Sequence, residues 1–274
     1  MAESPGGGAP WVPGVAPRGP TAGVSGNPLF EYLCRLGDDR LVLGHRLSQW
    51  AGHAPILEED IALSNFALDF VGQASALLTL AGEAEGQGRD ADALAFLRDE
   101  YQFRNAHLVE LPIGDFAFTI VRQYLFDAWD QLLLARLAAS GLGSLAGIAA
   151  KALKEATYHA RHTAAWVVRL GDGTDESHRR AQDALEQLWS FATELFQMDD
   201  VDRAMVEQGI GADVASLHTP WELTVRDTLA RATLTAPTDT RTVTGGRRGR
   251  HTEYLGHMLA EMQILPRSHP GAKW

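Results

Sequence analysis

The sequence predicts an all-α helical bundle, and three observations carry the prediction. Residues 55–82 keep a helical pattern for about 28 positions, roughly 42 Å at 1.5 Å per residue, more than twice an average globular helix. Residues 151–170, KALKEATYHARHTAAWVVRL, continue for about five turns without Pro or Gly. Between such segments stand short connections marked by Gly, Asp and Pro, and no stretch shows the alternation of a convincing strand or a repeat of about 20–50 residues.

Composition sets the bounds. With 274 residues, 45% hydrophobic and 22% charged, the chain is long enough for one sizeable core. Its formal net charge of -11 disfavours a sequence-independent grip on nucleic acid. No run of about 18 apolar residues is free of charge, so no membrane span is expected. Cys34 is the single cysteine, which leaves no internal disulfide or thiolate metal cluster; with Leu33 and Leu36 beside it, a packed thiol in a reducing cytoplasm is expected.

Taken in order, residues 1–28 are rich in Gly and Pro and lack apolar periodicity, which predicts a disordered leader ahead of one helical domain over 29–274. A short helix through Leu36 is expected to close at Gly37. Asp38 would then cap a second helix reaching about Ala51 and carrying Leu41, Leu43, His45 and Leu47. Pro55 opens the long segment, whose apolar stripe is read as Leu57, Ile61, Ser64, Leu68, Val71, Ser75 and Leu78, with Asn65, Asp69 and Gln73 as a polar stripe beside it. Arg89 to Asp99 reads as a shorter helix, and YQFRNAHLVELPIG as a structured connection. Asp115 caps a helix to about Ala139 with polar positions Gln123, Asp127 and Gln131. The segment 151–170 follows antiparallel to it, its alanines at 152, 156, 160 and 164 permitting close approach. Additional C-terminal helices are expected from Thr174 or Asp175 to Phe196, over 199–207, after a Thr219-Pro220-Glu222 cap, and after the glycine loop TGGRRGR, ending at Pro266.

Two patterns could carry chemistry. A two-metal carboxylate bundle needs a carboxylate from each of two helices and a Glu-x-x-His pair from each of two others. His45, Asp69, Asp127, Glu155 and His159 stand on candidate inward faces, but the spacing fails: Gly72 lies three residues after Asp69, and Tyr158 three after Glu155, with His159 one place late. A satisfied polar core is the reading favoured over metal binding, and the alternative is a di-iron oxygenase or ferroxidase using Asp69, Asp127, Glu155 and His159. The second pattern is the loop with Arg247, Arg248, Arg250 and His251, whose guanidinium forks suit a carboxylate, a phosphate or an acidic partner. Gln102, Phe103, Arg104 and Asn105 form a similar candidate contact for ligand or partner.

With these residues laid out, the sequence resembles the C-type subunits of multicomponent phenylacetyl-CoA 1,2-epoxidases, ring-epoxidising oxygenases of aerobic phenylacetate degradation. The resemblance is carried by LGDDRLVLGHRLSQWAGHAP at 36–55, LDFVGQA at 68–74, LAFLRDEYQFRN at 94–105, FDAW at 126–129, KALKEATYHARH at 151–162, LGDGT at 170–174 and TGGRRGRHTEYLGHMLAEMQ at 244–263. It covers nearly everything after the leader. It implies a ferritin-like fold and a non-catalytic structural subunit that stabilises a homologous A subunit. The resemblance further implies that the di-iron cofactor sits in A, with none in this chain, and that components B, D and the reductase E complete the system. It also implies a position for 102–105 near A or the phenylacetyl-CoA substrate.

Overall fold

The computed structural model describes residues 26–238 and 241–272, so most of the expected leader lies outside the described residues. Among the described residues every regular element is helical. Four long helices form the bundle: α1 (Pro28–Ser48), α2 (Leu57–Glu85), and, after the short α3 (Ala91–Phe96) and α4 (His107–Glu110), α5 (Phe116–Leu137) and α6 (Gly143–Gly171). α7 (Asp175–Ala192), α8 (Asp200–Glu207), α9 (His218–Arg231) and α10 (Glu253–Ser268) are the additional C-terminal helices of the ferritin-like arrangement.

α1 is the central helix. Asn27 caps it by accepting from the Leu29 and Phe30 amides, and Pro28 occupies its first turn, where no amide is needed. It is buried on every side from Glu31 to Gly44. The expected break at Gly37 does not occur. A Cβ there would stand 2.8 Å from Leu78 Cδ2, so the glycine lets α2 approach α1 inside a continuous helix. Asp38 is consequently mid-helix, not a cap.

α2 packs along α1, and α6 along α5. α1 and α5 run antiparallel, since Arg40 meets Asp130 while Trp50 Nε1, ten residues on, donates to Thr119 Oγ1 at 3.0 Å. Phe70 of α2 packs edge-on against Phe126 of α5, which in turn meets Trp129, and His159 of α6 lies against Phe66 of α2 with ring centroids 3.9 Å apart. α7 lies on α5, α9 covers α5 and α6, α8 rests on α1, and α10 closes over α3.

Several expected details are corrected by the packing. α6 begins at Gly143, earlier than 151, because the alanine-rich start Leu145, Ala149 and Ala152 already faces the core. Thr219 is no cap: the chain enters α9 through a 3-10 turn, Ala215–Leu217, and Glu222 instead pairs with Arg226 at 2.7 Å. Pro266 stands inside the last turn of α10, which ends at Ser268.

The apolar stripe assigned to α2 is the largest correction. The core face is Leu63, Phe66, Phe70, Ala74 and Leu77, joined from the expected stripe by Leu78, whereas Leu57 and Leu68 are each 70% exposed and Ile61 and Val71 are exposed beside them. Among the described residues, α2 alone could cross a membrane by length and hydropathy. Its Gln73 and Glu59 are nevertheless buried and hydrogen-bonded to α1 and α6, which makes it a bundle helix with one uncovered apolar face.

Candidate functional site

The inward faces of α1, α2, α5 and α6 meet where a two-metal bundle would place its ligands, and the residues there are joined to one another. His159 Nε2 stands 3.0 Å from Asp69 Oδ2, Gln73 Nε2 donates to Glu155 Oε2 at 2.8 Å, and His162 Nε2 stands 2.9 Å from Glu59 Oε2. Asp127 accepts from Gln123 Nε2 at 2.6 Å and from Thr163 Oγ1 at 3.0 Å. Asp127 and His159 are buried and Asp69 and Glu155 partly exposed, and the four are hydrogen-bonded in separate pairs along one polar ladder. His45 does not join them. It stands half-buried toward α10, where burial and the neighbouring Arg46 hold its imidazole below the usual range despite the opposing Glu261.

A guanidinium runs through the middle of this ladder. Arg40 donates from Nε to Gln73 Oε1 at 2.9 Å, from Nη2 to Asp130 Oδ1 at 2.5 Å and from Nη1 to its own helix at Leu36 O. It thus links α1 to α2 and α5, and through Gln73 and Glu155 to α6. Burial pushes the Asp130 carboxyl up to about 6 despite Arg40, and pushes Asp127, held only by the neutral Gln123 and Thr163, well above the usual carboxylate range. Burial likewise holds His159 down, outweighing Asp69. Among the described residues no three His, Cys, Asp or Glu side chains converge as a metal site. Neutral or internally paired carboxylates around a guanidinium do not fit a two-metal centre, which needs bridging carboxylates and an imidazole for each ion.

Arg40 belongs to a run of three buried charges whose importance the sequence reading missed. Asp38 is paired with Arg98 and accepts the Arg104 amide at 2.8 Å. Asp39 accepts from Arg247 Nη1 and Nη2 at 2.9 and 2.7 Å and from the Ala106 amide at 2.8 Å. Successive helical positions point about 100° apart, so the triplet sends one charge into each of three neighbouring segments. The available signal was Asp-Asp-Arg set between apolar turns with no cap required.

The same internal logic absorbs the candidate contact residues. Glu194 Oε1 accepts from the Gly245 and Gly246 amides, both at 3.0 Å, while its Oε2 holds the His107 amide and Nδ1 at 2.8 Å. Burial would raise Glu194, but the His107 hydrogen bond and charge draw it below the usual range. The glycine loop is thus shaped for an anion, and that anion is Glu194. Arg247 is bound to Asp39, and His251 Nδ1 stands 2.7 Å from Glu110 while its Nε2 reaches the Phe103 carbonyl. Gln102 accepts the Asp99 amide, Phe103 is buried beneath Arg98, Arg104 pairs with Glu31 at 2.6 Å, and Asn105 donates to Glu110 at 2.8 Å. Arg248 and Arg250 are the loop guanidiniums that remain exposed.

Comparison with known proteins agrees with this geometry. The family model described as phenylacetic acid catabolic protein matches residues 16–274. The C-type component of 1,2-phenylacetyl-CoA epoxidase from Escherichia coli (strain K12) is 51% identical over 248 residues, covering 90% of this chain and 100% of that protein. A family match over residues 16–274, with 51% identity to a relative over 90% of the chain, establishes that this chain belongs to the phenylacetic acid catabolic protein family.

Proposed function

We propose that the chain is the non-catalytic C-type subunit of a phenylacetyl-CoA epoxidase, which packs against a homologous di-iron A subunit and stabilises it for ring epoxidation. One observation carries the reading: the interior position that would hold two metals is closed by the Arg40–Asp130 and Arg40–Gln73 contacts. The uncovered face of α2 supports a protein partner. From Ile61 to Gly82 its only charged residue is Asp69, and its exposed apolar line from Leu57 to Val71 extends about 21 Å. Arg248 and Arg250 supply a second contact toward the A subunit or the acyl-CoA, and B, D and the reductase E complete the system. A cytoplasmic setting is part of the same proposal and is supported by the lone Cys34, buried with its thiol pushed up to about 12.

Iron analysis tests the reading. The purified chain, loaded anaerobically with ferrous iron, is expected to hold far less than one iron, and its co-expressed pair with the A subunit is expected to hold stoichiometric iron and turn over phenylacetyl-CoA. Stoichiometric iron in the isolated chain, lost in His159→Ala, would sink it.

A further inference from the structure

A cleft outside the charged core separates α6 from α9. The two helices touch at their C-terminal ends, where a Cβ on Gly171 would lie 2.2 Å from the Ala232 carbonyl, and between them runs an open groove of about 760 Å³ that reaches Leu223. Ala128 of α5 lies in the floor, Ala160, Ala164 and Arg161 line the α6 wall, and Leu223 and Arg231 line the α9 wall. Leu223 is 68% exposed at the lip, an apolar side chain left largely uncovered by the described residues.

On the α9 wall Arg231 is paired with the lining Asp227 at 3.3 Å, but the charge of the α6 wall runs against that of the molecule. In a chain of net charge -11, α6 contains one acidic residue, Glu155, against Lys151, Lys154, Arg161 and Arg169. Lys151 lies 3.9 Å from Glu155, whereas neither Lys154 nor Arg161 has a carboxylate partner among the described residues; Arg161 lies over the Tyr158 ring at 5.6 Å. Seven residues apart, Lys154 and Arg161 share a face of α6 about 10.5 Å from one another. Cations so spaced do not converge on one phosphate. They match acidic side chains two turns apart on a second helix, whose apolar face the alanine floor and Leu223 would receive.

We propose that this cleft is the docking groove for an acidic amphipathic α-helix of a partner protein. The surface is distinct from the uncovered face of α2, because α9 packs on α5 and α6 and Val71 of α2 turns toward Gly44 of α1. The proposal goes beyond the subunit assignment, which the α2 face supports independently.

The test uses the full chain carrying photoreactive benzoylphenylalanine at Thr157 or at Leu223, co-expressed with the candidate A subunit and accessory components. Illumination is expected to join both positions to one helical peptide of net negative charge from another component. Lys154→Glu with Arg161→Glu is expected to lower that yield roughly tenfold, the loss of two exposed ion pairs followed by repulsion. Co-purification with A, read on the same samples, reports the α2 face and distinguishes failure of the subunit assignment from failure of the groove. No cross-link in an intact complex, a cross-link to a second copy of this chain, or a yield insensitive to charge reversal would each overturn the proposal. Suppression of the cross-link by excess free coenzyme A would overturn it in favour of a phosphate-bearing ligand.

Discussion

Arg40→Met is the most direct test of what holds the bundle together. The substitution keeps an apolar stem of similar reach and removes three hydrogen bonds: to Asp130, to Gln73 and to the Leu36 carbonyl. The charge-assisted bond is worth about 2 kcal/mol and the other two about 1 kcal/mol each, so the cost at pH 7.5 is about 4 kcal/mol, within the range for breaking a buried pair. For a chain of this size that corresponds to a fall in Tm of about 10 °C. The cost also depends on pH. Because Asp130 titrates at about 6, its carboxyl is mostly protonated at pH 5 in the wild type, the ionic part of the contact is already gone, and the variant loses no more than about 2 kcal/mol there. Urea unfolding followed by circular dichroism at both pH values measures the two differences. The double variant Arg40→Met/Asp130→Asn removes the charge left behind and recovers about 2 kcal/mol at pH 7.5. A loss below about 1 kcal/mol at pH 7.5, or an equal loss at both pH values, refutes Arg40 as the clasp of the bundle.

Asp127→Asn replaces a carboxyl held above its ordinary range by burial. Such a group stabilises fully below the unfolded-state pKa and loses that contribution as pH rises through the folded value, so the variant gains on the wild type in urea midpoint between pH 5 and pH 8. Gly72→Ala and Gly246→Ala should move in opposite directions in thermal unfolding. An added Cβ meets nothing within 4 Å at Gly72, an interior position of α2, and stabilises by about 0.8 kcal/mol; at Gly246 it meets the Asn105 carbonyl at 2.3 Å and costs about 2 kcal/mol as the loop leaves Glu194. Ile61→Glu/Leu68→Glu places charge on the uncovered face of α2, leaving the isolated chain within about 1 kcal/mol of wild type and abolishing co-purification with the A subunit.

The bundle was legible in the sequence because its evidence is local. Length, period and cap residues act within a few turns, so the helices around 116–137, 175–192 and 200–207 fall where Asp115, Thr174 and Asp199 start them. What required the folded chain was contact across sequence. Gly37 has the composition of a helix stop until Leu78 is set against it, and α2 is apolar on two faces, so periodicity alone did not decide which is covered. The interior site was half-legible: Asp69, Asp127, Glu155 and His159 were recognisable as inward polar residues, but Arg40 belonged to a stretch read as the first turn of a new helix. The anion preference of the arginine loop was visible in its residue types. Its anions, Asp39 and Glu194, lie 208 and about 51 residues away in the chain, a separation no motif records.

Arg40 also explains how a bundle of this architecture keeps its shape without bridging metals. In a two-metal bundle, cations neutralise inward carboxylates and tie helices together while leaving coordination positions open for reaction. Here a guanidinium supplies the charge and the ties: Asp130 is paired, Gln73 is oriented, and Gln73 in turn holds Glu155 on α6. A guanidinium presents donors in a fixed plane and offers no exchangeable position for a substrate oxygen. The arrangement therefore ties α1, α2, α5 and α6 together while leaving no exchangeable coordination position at the Arg40 contacts. Lys154 and Arg161 beside the cleft and Arg248 and Arg250 on the loop are at the surface, as are the apolar residues Leu57, Ile61 and Leu68. Interior closure with open exterior faces is the distribution a scaffold protein requires, because its binding energy is spent between proteins and not on a reacting atom.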